Sequence, residues 1–146
     1  MRTRPHSFLK ASLAAGSVLA TGFFAASASA DQLTVDITEV KEIGGSMMVA
    51  VYNTAEAWNG GPPVASTKDS VTGGKVRVIF ANLEAGEYAV MLYHDANANG
   101  ELDSNMLGIP SEGYGFSNNV GRFGKPEFEE AMFTVSGETA IEINLR

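Results

Sequence analysis

Between His94 and Asn119 the chain reads HDANANGELDSNMLGIPSEGYGFSNN, and the front of this stretch spaces oxygen-bearing side chains regularly. Counting Asp95 as position 1, side-chain oxygens fall at 1, 3, 5 and 9 (Asp95, Asn97, Asn99, Asp103), a glycine at 6 (Gly100), and Glu101 at 7. A hard cation takes about six to eight oxygens, alternate residues turn their side chains toward one point, and glycine permits the sharp turn that closes the loop. The spacing therefore predicts a calcium loop, with side-chain oxygens from Asp95, Asn97, Asn99 and Asp103 and the backbone carbonyl of Glu101. Met106 stands where an EF-hand carries its bidentate glutamate. Asn105, Glu112 and water are the candidates for the remaining positions. Such a shell holds few carboxylates, which predicts weak binding, on the order of 10⁻⁴ to 10⁻³ M. The competing reading is a turn whose Asn and Asp side chains cap their own backbone; the spacing favours calcium.

Charge sharpens the expectation. No Lys or Arg lies between Arg77 and Arg122, a span holding Glu84, Glu87, Asp95, Glu101, Asp103 and Glu112. His94, the only histidine after residue 30, directly precedes Asp95. A hydrolase would use it as a general base beside Asp95 or Glu112, with Ser104, Ser111 or Ser117 as nucleophile. No serine sits in a nucleophile-elbow context, so a hydrogen-bonding anchor is the favoured role and catalysis by His94 and Glu112 the alternative. A zinc site is disfavoured, because one His and no Cys leave only carboxylates to complete a tetrahedron. Further on, Gly108, Gly113, Gly115, Gly121 and Gly124 surround Ile109, Pro110, Tyr114, Phe116 and Phe123. These rings either form a binding surface or fold back over one end of the domain, and the second reading is preferred.

The elements that must position this loop are short strands. Leu33, Val35 and Ile37 alternate with polar residues, and Gly44-Gly45 leads into Ser46 to Tyr52, which together read as a hairpin. Residues 54–70 read as a long loop with one helical turn near Ala55 to Trp58. In Lys75 to Phe80, Val76, Val78 and Phe80 are expected to face in, and Lys75, Arg77 and Ile79 out. Glu87 to Tyr93 is apolar on both faces and so central in its sheet. Phe128 to Val135 and Thr139 to Leu145 read as a last pair around Ser136-Gly137, although Pro126 and the glutamates after it are also compatible with one helical turn. About seven strands without a long helical segment predict an all-β fold, an antiparallel sandwich of prealbumin or immunoglobulin-like type.

Residues 1–30 have the three parts of a secretory signal peptide: Arg2, Arg4 and Lys10, then an apolar stretch, then Ala28-Ser29-Ala30. Residues 31–146 then form one domain, exported to the periplasm or beyond, with no membrane span after cleavage. The whole chain has 10 basic and 17 acidic residues; the leader takes three of the basic ones and none of the acidic, leaving seven against 17, a net −10. Such a domain has nothing with which to displace the counterions of a nucleic acid. The chain has no cysteine, so no disulfide supports it.

Phe80 to Val90 resembles the strand-turn-Tyr-strand hairpin of transthyretin-like and collagen-adhesin B-type sandwiches. Together with His94 to Asn119, Phe123 to Pro126 and Phe128 to Ala131, the mature chain closely resembles a family of small exported bacterial proteins of unknown function. The signature of that family has the form HDxNxNGxxDxNxxGxPxEGYGFSNN. The resemblance implies an exported β-sandwich and supplies no activity, substrate or catalytic residue. The expected role is a non-enzymatic module that binds a protein or envelope polymer at its loop end. The alternatives are a cell-envelope hydrolase and a structural surface-assembly subunit, the latter betrayed by an unprotected edge strand.

Overall fold

The computed structural model describes residues 31–146; the expected signal peptide lies outside the described residues. In chain order the elements are β1 (Asp31–Thr38), β2 (Ser46–Tyr52), α1 (Ala55–Trp58), β3 (Ala65–Ser70), β4 (Val76–Leu83), β5 (Gly86–Asp95), β6 (Tyr114–Phe116), a 3₁₀ turn (Ser117–Asn119), α2 (Phe128–Ala131), β7 (Phe133–Val135) and β8 (Glu138–Asn144). One sheet has the order β4-β1-β8; the other runs β3-β2-β5-β6, with β7 also pairing β5. The alternation of β1 and β4 puts Leu33, Val35, Ile37, Val76, Val78 and Phe80 between the sheets, against Met47, Val49, Val51, Val90 and Leu92. Arg77 and Ile79 face out as expected. β5 is central, between β2 on one side and β6 and β7 on the other. Its outward residues Ala89 and Met91 are covered by a second cluster of Trp58, Phe116, Phe128 and Ala131. That second layer is why both faces of β5 are apolar.

The fold is the expected all-β sandwich, with eight strands rather than about seven. Several pairings differ from the sequence expectation. β1 and β2 do not form a hairpin: they lie in different sheets, and the segment between them crosses the sandwich. β7 and β8 are not a pair either, since β7 joins β5 while β8 runs parallel to β1. One-face alternation says which side of a strand is buried, not which strand lies beside it, and that ambiguity accounts for both differences. Residues 54–70 contain β3, whose sequence ASTKDS is mostly exposed on both faces and so carries no hydrophobic period. The turn Ala55–Trp58 is helical as expected, capped by the Thr54 hydroxyl, which accepts from the Ala57 N–H at 3.1 Å. Residues 128–131 take the helical option, with a Glu127/Glu130 capping box, and only 133–135 is strand.

Between β4 and β5 the chain passes from one sheet to the other. The Tyr88 hydroxyl donates to the Glu84 carbonyl at 2.8 Å and fixes that corner. The sheet-terminal strands β3 and β4 pass close to one another, and β3 exposes Lys68 and Asp69. A charged edge of this kind resists strand addition.

On the outer face of the three-stranded sheet Arg77 grips Asp36 through two bonds, Nε to Oδ1 at 2.6 Å and Nη2 to Oδ2 at 3.0 Å. The guanidinium holds the Asp36 carboxyl below its ordinary value. A lowered folded value stabilises above the unfolded carboxylate value of about 3.9, and the contribution disappears as pH falls through the folded one. Asp36→Asn should lower the melting temperature by roughly 2–4 °C at pH 7. The gap to wild type should close on acidification; a gap that persists in strong acid would contradict the pairing.

Candidate functional site

The loops following β1, β3 and β5 meet at one end of the sandwich. Ser46, which opens β2, pairs with Asp95, which closes β5. Just before it, Gly45 has φ +64°, and a Cβ there would lie 2.2 Å from the Asp95 carbonyl oxygen. Only glycine allows this approach, which brings the 39–45 loop against the start of the acidic loop.

Asp95 is the centre of that loop. It is fully buried, and its carboxylate accepts from the Asn99 N–H (Oδ1, 3.0 Å) and the Gly100 N–H (Oδ2, 3.0 Å). Asn97 Oδ1 also accepts from the Asn99 N–H at 3.0 Å, and Asn99 Oδ1 accepts from the Glu101 N–H at 2.9 Å. The side-chain nitrogens of Asn97 and Asn99 donate to the two oxygens of Asp103, at 2.6 and 3.1 Å. Four of the five sequence-predicted residues are thus joined in one network, and Glu101 joins through its N–H. Its carbonyl accepts no hydrogen bond among the described residues. Gly100 takes the left-handed conformation (φ +84°) that closes the turn, and its carbonyl accepts from the Tyr93 hydroxyl at 2.8 Å.

The arrangement is that of a self-capped turn, and its donor set also suits a hard cation. Asp95, Asn97, Asn99 and Asp103 bring two carboxylates and two side-chain amides into one turn, with the amide nitrogens facing Asp103 and the amide oxygens facing backbone N–H groups. Among the described residues no group of three or more His, Cys, Asp or Glu side chains is placed to hold a metal ion; a cation here would be held by the two carboxylates together with amide and carbonyl oxygens. That chemistry fits calcium and not zinc. To coordinate, the Asn97 and Asn99 amides would have to turn their oxygens inward, exchanging their N–H bonds to Asp103 for the ion.

Among the described residues the one salt bridge is Arg77–Asp36, so no cationic side chain contacts Asp95, Asp103 or Glu112. The resulting negative field is felt at Tyr93, whose hydroxyl is raised by burial first and then by Asp95, Glu112 and Glu101.

Glu112 has a role that spacing alone does not disclose. Its two oxygens accept from the Ala96 N–H at 2.9 Å and the Asp103 N–H at 3.0 Å, stapling the entry of the loop to its ninth position. Its placement 17 residues past Asp95 was the only available signal.

His94 faces the core with Tyr88, Val90 and Leu92, is 4% exposed, and holds the Gly44 carbonyl with Nε2 at 2.7 Å. A cleft of about 230 Å³ opens beside it, lined also by Lys41, Ser111, Glu112 and Arg146. Among the described residues no hydrogen bond joins His94 to a serine or a carboxylate.

The second half of the loop is framework. β6 and β7 each cover three residues of β5 and leave a gap between them. Ser117 fills it: its Oγ accepts from the Val90 N–H at 2.9 Å and donates to the Ala131 carbonyl at 2.5 Å. Asn118 donates to the carbonyls of Glu130 (3.1 Å) and Met132 (2.9 Å), closing the end of α2. Asn119 imitates a strand neighbour for β8, donating to Glu142 O at 3.2 Å and accepting from Asn144 N at 2.8 Å. The expected covering of one end by aromatic rings is corrected. Phe116 and, in part, Tyr114 lie under Trp58 on the outer face of the five-stranded sheet, while Phe123 is exposed.

Fold and site together define a small two-sheet β-sandwich carrying one self-bonded acidic loop at its end. Residues 35–143 match the model of a family described as an uncharacterized protein conserved in bacteria (DUF2141), and the chain belongs to that family. No curated protein matches it.

Proposed function

We propose that this is a non-enzymatic exported module whose Asp95–Asp103 loop is ordered by calcium and whose loop end engages a protein or envelope polymer. One observation carries the reading: a fully buried carboxylate, Asp95, wrapped by its own backbone and touched by no cationic side chain among the described residues. A buried anion held only by neutral donors remains costly, and a cation beside it offsets that cost. The leader-like residues 1–30 support export, and the likeness of Phe80 to Val90 to transthyretin-like sandwiches supports a binding scaffold. The hydrolase reading has less behind it. His94 is packed onto Gly44, Ser117 is spent on the sheet gap, and both oxygens of Glu112 hold backbone amides.

Thermal unfolding tests the ion. With a dissociation constant near 10⁻³ M, about 10 mM calcium should add roughly 1.4 kcal/mol, a rise of about 5 °C. An unchanged melting temperature would remove calcium from the reading.

A further inference from the structure

Beyond the turn, the same loop ends in a tip that the ion does not explain. Met106 and Leu107 are 103% and 83% exposed, and Ile109 is more than half exposed. Adjacent large apolar side chains held in water on an otherwise acidic loop call for a reason. The tip is rigid. Asn105 Oδ1 accepts from the N–H groups of Leu107 (2.9 Å) and Ile109 (3.1 Å), and the Asn105 N–H donates to the Ile109 carbonyl at 2.8 Å. Gly108, at φ +74°, donates to the Asn105 carbonyl at 2.9 Å, and a bridge between Ser104 and Pro110 closes the base. The backbone that carries the apolar side chains is therefore held in one conformation, which lowers the ordering cost of docking.

We infer that Met106 and Leu107 form an anchor that inserts into an apolar pocket rimmed by basic side chains on a partner protein. Charge selects that occupant. The carboxylates of this loop that reach solvent, Glu101 and Asp103, have no Lys or Arg beside them in the sequence between Arg77 and Arg122, so the flank of the tip complements a basic rim. An anionic lipid surface would be repelled by the same flank. A symmetric contact between two copies would set flank against flank. The inference rests on the loop end being the binding end, and does not require calcium.

The test titrates the full domain with a labelled synthetic amphipathic peptide of lysine and leucine, comparing wild type with the double variant Met106→Ser/Leu107→Ser. Both side chains lie in solvent, so the variant should keep its circular dichroism and melting temperature. Wild type should bind, more weakly as salt rises, and the variant should lose roughly tenfold or more in affinity. Equal binding by both proteins, or none by either, would overturn the anchor. So would capture of wild type by phosphatidylcholine vesicles, which assigns the tip to a membrane, or self-association in sedimentation that the variant abolishes. A silent calcium titration with the peptide result intact would remove only the ion. Calcium binding with equal peptide affinities would remove only the anchor.

Discussion

Trp58→Ala should destabilise the domain by about 3–5 kcal/mol in denaturant unfolding, the range for deleting a buried Trp or Phe side chain. Trp58 is 1% exposed and lies at the centre of the outer cluster. Its ring meets Tyr52, Phe116 and Phe128 edge-on at 5.5, 5.9 and 6.3 Å. The indole N–H donates to the Pro126 carbonyl at 2.9 Å, and Lys125 Nζ lies 5.2 Å from the ring centroid. Alanine would leave a cavity, an unpaired buried carbonyl and an unsupported Phe116. Since Phe116 ends the strand to which the acidic loop returns, the loop should loosen too, visible as faster amide exchange at Tyr114 to Ser117. Trp58→Phe, which refills most of the volume, should cost about half as much. A loss below about 1 kcal/mol for the alanine variant would mean that the outer cluster is not a second core.

Asp95→Ala is expected to cost about 3 kcal/mol without any metal, because two backbone amides lose a charged acceptor worth roughly 1.5–3 kcal/mol each. It should also abolish the calcium-induced rise in melting temperature. Asp95→Asn separates the two effects. It keeps the shape and one acceptor, so its metal-free stability should fall less, while its calcium response should still be lost. If Asp95→Ala were as stable as wild type, the turn would not depend on its buried carboxylate. If its calcium response survived, the ion would lie elsewhere.

The parts of this molecule legible from sequence are those with a period or a spacing. Alternation along Leu33 to Ile37 and Val76 to Phe80 revealed the inner faces, and two-faced apolarity placed Glu87 to Tyr93 at the centre of its sheet. Strand partners were not legible, because a half-buried strand looks the same beside any neighbour; hence the expected hairpin of β1 with β2. β3 and β6 were missed because one is polar on both faces and the other is three residues long inside a glycine-rich run. In the loop, Asp95, Asn97, Asn99 and Asp103 share one network, and its bonds are those of the self-capped turn that the same spacing also allowed. Its closing residue Glu112 acts on backbone amides of the loop itself, at Ala96 and Asp103, which no side-chain spacing marks, and the structural duties of Ser117, Asn118 and Asn119 depend on contacts with α2, β5 and β8.

We propose that the Asp95–Asp103 turn, self-capped in this structure, also holds a cation. A calorimetric titration of the domain (residues 31–146) with calcium, alongside Asp95→Asn, tests this most directly. Wild type should show a single saturable event at about 10⁻⁴ to 10⁻³ M, and the variant none. No heat in wild type, or the same isotherm in both proteins, would contradict it.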